Sequence, residues 1–160
     1  MKYLKKYNES ISKDLISKEV AEDIYDILLE LSDNGYTFVI EYKIDDYGWS
    51  NTYNNSDELK SIRVEFSSFG SKQPYGNADV YLSDRDKFDR SKSEYTKLLK
   101  ITINHLLDYV EDTEYGINMY HNDMPGRKKV SVPSDFNNID DFIDFFIIEG
   151  GNIDLFIFNN

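Results

Sequence analysis

The chain has 160 residues, 40% of them apolar and 15% aromatic, so one domain with a sizeable core is expected and intrinsic disorder is excluded. Its net charge of -12 argues against direct binding of nucleic acid or anionic lipid and for partners with basic surfaces. The absence of cysteine excludes disulfides, thiolate metal sites and cysteine nucleophiles.

Residues 1–13 read as a basic arm ahead of a single domain over 14–160. The opening stretch Met1 to Tyr7 is basic but lacks the apolar run of a signal peptide, and no segment approaches a membrane span. A cytoplasmic protein without membrane contact is therefore expected. The first helix is predicted from Ser17 to Asn34, with Ser17 as N-cap and Gly35 as the stop. Its apolar stripe is Val20, Ile24, Ile27, Leu28 and Leu31, and its other side carries Glu19, Glu22, Asp26, Glu30 and Asp33. Strict alternation over Tyr36, Phe38, Ile40, Tyr42 and Ile44 then marks a strand, followed by a polar loop over 45–57.

A second strand is predicted near Ile62 to Phe69 and a third near Asn77 to Ser83. Asp84 to Asp89 begins like a calcium loop but lacks its glycine and its third ligand, and reads as a polar loop before a helix. Ser91 with Glu94 forms a capping-box pattern that opens the longest predicted helix, and Gly116 is read as its end. Its predicted buried face is Tyr95, Leu98, Leu99, Thr102, Leu106 and Val110. Strands at Ile117 to His121 and Lys129 to Val132 flank a turn. A last helix from Asn138 to Glu149 stops at Gly150 and Gly151, and a terminal strand, Ile153 to Phe158, alternates so weakly that it belongs in the middle of the sheet. The fold class is α+β: a largely antiparallel sheet with helices on one face, its second half in the β-α-β-β-α-β order of ferredoxin-like sandwiches.

Charge is unevenly placed. Residues 14–59 hold twelve carboxylates against two lysines, and the last 27 residues hold six acids and no base. Steps of three and four along the first helix give one negative charge about every 6 Å, a ladder that can imitate a phosphate backbone. The longest helix has its charges reversed, with Lys92, Lys97 and Lys100 early and Asp108, Glu111, Asp112 and Glu114 at its end. Each misplaced charge costs about 0.3–1 kcal/mol at low salt, and such departures tend to mark functional positions. The alternative is a solvated helix end whose acids meet Lys128 and Lys129. Tyr47, Trp49 and Tyr53, set among small amide and hydroxyl residues, resemble a paratope of rigid anchors, or else a hairpin folded against the sheet edge. His105, Asp108 and Asp112 share one helix face and His121 follows, a mixed set able to hold zinc, manganese or iron; the alternative is a solvated or buried neutral histidine. No phosphate loop, nucleophile elbow or zinc-protease motif is present, and no cofactor is expected.

The opening Met1-Lys2-Tyr3-Leu4-Lys5-Lys6-Tyr7-Asn8-Glu9-Ser10 resembles the amino termini of small proteins of large tailed bacteriophages. Those begin Met-Lys, then an aromatic and basic stretch, then Asn-Glu or Glu-Ala. The resemblance implies a phage protein, and in some phages such a leader targets internal proteins to the prohead. Three expectations follow. The first is a non-catalytic acidic protein that binds a host protein, with nucleic-acid charge mimicry against a defence system as its sharper form. The second is a virion component, and the third a metal-dependent enzyme built on the His and Asp set.

Overall fold

A computed structural model describes residues 15–46, 48–54, 56–68, 85–123 and 126–160, with the backbone alone for 85–89 and 91. The basic arm, Tyr47 and the strand predicted over 77–83 lie outside these residues. Helix α1 spans Lys18–Asp33, strands β1 Val39–Lys43, β2 Trp49–Ser50 and β3 Ser61–Ser67, helix α2 Arg85–Glu111, strands β4 Tyr115–Asp123 and β5 Gly126–Val130, helix α3 Ile139–Glu149, and strand β6 Asn152–Asn159. The strands form one sheet in the order β2-β1-β3-β6-β4-β5, with every neighbouring pair antiparallel. The α+β class with helices packed on the sheet is thus the observed architecture. Among the described residues, the order from β3 onward is β-α-β-β-α-β, with β6 inserted between β3 and β4.

Local chemistry explains most boundaries. The Ser17 hydroxyl accepts from the Val20 amide at 3.2 Å, and Gly35 at φ 83° lets the chain leave α1 in a conformation other residues avoid. Asn138 caps α3 in the same manner through the Asp141 amide, and Gly150 ends it. Helix α2 departs from expectation at both ends. It begins at Arg85, so Ser91 lies inside it rather than capping it, and the segment read as a polar loop before the helix is helical from Arg85 on. A Ser-x-x-Glu spacing also occurs within helices, so by itself it does not fix where one begins. The helix ends at Glu111. Gly116 lies in β4, where a side chain would collide with Phe158 and Asn160.

The core lies between the helices and one sheet face. Register sets Ile62 beside Ile157, Val64 beside Leu155 and Phe66 beside Ile153, all fully buried. Against them pack Ile24, Leu28 and Leu31 of α1, Tyr95, Leu99, Ile103 and Leu106 of α2, and Phe142, Ile143 and Phe146 of α3. Helices α1 and α2 run antiparallel. Tyr36, just beyond α1, stacks on Tyr95 early in α2 at 5.0 Å, while Tyr109 late in α2 donates to Asp23 early in α1 at 2.6 Å. Among the described residues, no helix is long and apolar enough to cross a membrane.

Candidate functional site

Burial of Ala21, Ile24, Leu28 and Leu31 fixes the rotation of α1, and this turns its acids outward. Glu19, Glu22, Asp26, Glu30 and Asp33 are all exposed, and none forms an ion pair with a described cation. Here the structure holds together the residues that the helical spacing grouped.

The aromatic loop is divided. Trp49 pairs with Lys43 in the short edge strand β2, which places it on the sheet face away from the helices. Its ring crosses the sheet to meet Phe156 edge-on at 5.8 Å and stays 37% exposed. Tyr53 turns to the helix side, edge-on to Tyr42 at 4.7 Å. There, Tyr53, Tyr42 and Tyr25 line a cleft of roughly 230 Å³ together with Glu22 and Asp26. Burial, then the Glu22 charge, pushes the Tyr53 hydroxyl above its ordinary range. Lys18 places its ammonium 5.7 Å from the centre of the Tyr53 ring and donates to the Asn54 carbonyl at 2.5 Å. The fold thus joins one residue of the loop to the acidic helix and sends the other elsewhere.

Asp108, Glu111 and Asp112 are exposed at the C-terminal end of α2. Antiparallel packing sets that end beside the start of α1, whose free amides carry partial positive charge and offset part of the dipole penalty. No described ion pair joins these acids to Lys128 or Lys129; Lys100 of α2 pairs instead with Asp144 of α3, at 2.7 Å. Tyr109 is half-buried at the α1 seam. Its burial, then the hydrogen bond to Asp23 and the charges of Asp23 and Glu19, pushes its hydroxyl well above the usual tyrosine range.

The histidines do not converge. His105 is exposed on α2, whereas His121 is buried in β4, 2.8 Å from the Gly150 carbonyl through Nε2 and ringed by Phe142, Phe145 and Phe146. Among the described residues, no group of three His, Asp or Glu side chains is placed to hold a metal. The set of His105, Asp108, Asp112 and His121 is therefore not one site.

Sequence reasoning missed the polar cluster on the other sheet face. Arg63 of β3 donates to Glu41 at 2.7 Å, to Glu65 at 2.7 Å and to Asp154 at 3.0 Å, and Asn122 donates to the second oxygen of Asp154. Asp154 is only 2% exposed, so its charge depends on these partners. Burial alone would lower the Arg63 guanidinium, but Asp154, Glu41 and Glu65 outweigh it and hold it above its ordinary value. Beside the cluster, Tyr120 meets Phe156 edge-on at 5.6 Å, and Arg127 lies 4.2 Å from the Tyr120 ring centre. Alternation in β3 signals that Arg63 and Glu65 share a face. The arrival of Asp154 from 91 residues away has no local signal.

Comparison with protein-family models, with curated proteins and with solved structures gives no match.

Proposed function

We propose that the protein is a non-catalytic acidic binding protein whose α1 face engages a protein with a basic surface. The observation that carries this reading is the row Glu19, Glu22, Asp26, Glu30 and Asp33, exposed along one helix and unpaired with any described cation. The helix backbone spaces these carboxylates in advance and presents negative charge about every 6 Å, so a groove built for nucleic acid is a suitable receptor. Such a surface repels nucleic acid itself. The resemblance of the first ten residues to leaders of phage proteins supports a phage origin, a host defence or DNA-handling protein as the target, and action in the host cell. The second acidic end, Asp108, Glu111 and Asp112, extends the same potential past the start of α1.

Charge recognition of this kind weakens steeply with salt. Capture of host proteins by the immobilised chain is expected at low salt and lost at high salt. The triple variant Glu22→Lys, Asp26→Lys, Glu30→Lys is expected to abolish it while retaining the wild-type circular dichroism spectrum. Capture that is indifferent to both changes would remove the α1 face from consideration.

A further inference from the structure

The cleft beside α1 differs from the rest of the acidic face in having aromatic walls. Five residues line it: Glu22, Tyr25, Asp26, Tyr42 and Tyr53. Tyr42 is 5% exposed and lines the cleft, and its hydroxyl makes no hydrogen bond to another described residue. An incoming N–H donor can use that oxygen without displacing a protein partner. Neither Glu22 nor Asp26 is paired with a described cation. Lys18, with its ammonium over the Tyr53 ring, shows that this ring accepts a cation.

We propose that this cleft receives an arginine side chain of the partner protein, its guanidinium stacked on tyrosine and donating to Glu22, Asp26 and the Tyr42 hydroxyl. The proposal rests on the reading of α1 as the binding face and names the group that the face recognises. Arginine fits better than lysine because its planar head stacks on a ring and directs five N–H donors at several acceptors at once. The two carboxylates give direction to a field that elsewhere on α1 is diffuse, so the cleft fixes the register of a partner that the ladder attracts.

The test is a titration of the isotope-labelled full chain with a blocked Gly-Arg-Gly peptide at low salt, followed by nuclear magnetic resonance, beside the same peptide bearing citrulline. Shifts confined to Tyr25, Tyr42, Tyr53 and their neighbours are expected with arginine and absent with citrulline, which keeps the shape and loses the charge. Tyr53→Ala and the conservative Tyr42→Phe are each expected to weaken binding by roughly fivefold, whereas Asp33→Asn, outside the cleft, leaves it within about twofold. Shifts spread along α1 and indifferent to both tyrosine changes, or equal binding of the citrulline peptide, would overturn the cleft proposal. If salt-sensitive capture of a basic protein persists in those cases, the α1 reading stands without the cleft; if capture also fails, both fall.

Discussion

Tyr42 joins stability to the cleft. Burial, and behind it the negative charge available on Tyr53 and Tyr25, pushes its hydroxyl from 10.0 up to about 12. A group whose folded value lies above its unfolded one contributes fully below the unfolded value and loses that contribution as pH rises through the folded one. Stability is therefore expected to decline between pH 10 and about pH 12, and Tyr42→Phe to reduce that decline by about 2 kcal/mol. Denaturant midpoints measured across this range check it, and identical slopes in the two proteins would refute it. Tyr95 and Tyr109, also raised, keep part of the alkaline dependence in the variant. Arg63 illustrates the converse at the same scale. A single guanidinium lets Glu41, Glu65 and the buried Asp154 occupy one sheet face.

Among the elements, the passage from α3 to β6 is the most constrained. Gly150 and Gly151 take φ of 88° and 84°, and a side chain on Gly151 would fall within contact distance of the Asn122 backbone oxygen. That oxygen belongs to β4 where it pairs with β6, so any accommodation opens the Asn122–Asn152 end of the ladder. Gly151→Ala is expected to cost at least about 2 kcal/mol in denaturant unfolding, combining backbone strain with the clash. Gly126→Ala, at the start of β5 with open space around it, is the control and is expected to change stability by no more than about 0.5 kcal/mol. Equal effects would mean that the close approach of β4 to this turn is not what requires glycine.

For the whole molecule, the same charge has opposite consequences for folding and for binding. A net charge of -12, with the acids of α1 and the acidic end of α2 brought side by side, makes the folded state repel itself. Added salt screens that repulsion and also screens attraction to a basic partner. The melting temperature is therefore expected to rise between low and physiological salt while captured partner falls, both followed in one buffer series. A melting temperature that is flat or falling over that range would show the carboxylates to be too far apart, or too well compensated, to matter to the fold.

The amino-acid sequence determined what is local. Ser17 and Gly35 bounded α1, Asn138 and Gly150 bounded α3, and the 3.6-residue spacing showed which side of α1 would be acidic, because caps, turns and helical faces depend on residues a few positions apart. Ile62, Val64 and Phe66 alternate in sequence with Arg63 and Glu65, and the structure turns the first set to the core; the weakly alternating last strand read correctly as central. Tertiary structure decided what depends on distant partners. It extended α2 back to Arg85, moved Gly116 from a helix end into a strand crossed by Phe158, separated His105 from His121, and sent Trp49 and Tyr53 to opposite sides of the sheet. It also assembled the Tyr42 cleft and the Arg63 cluster from strands and helices far apart in the chain. Neither assembly has a local signature, since each follows from strand register and helix packing that only the complete core fixes.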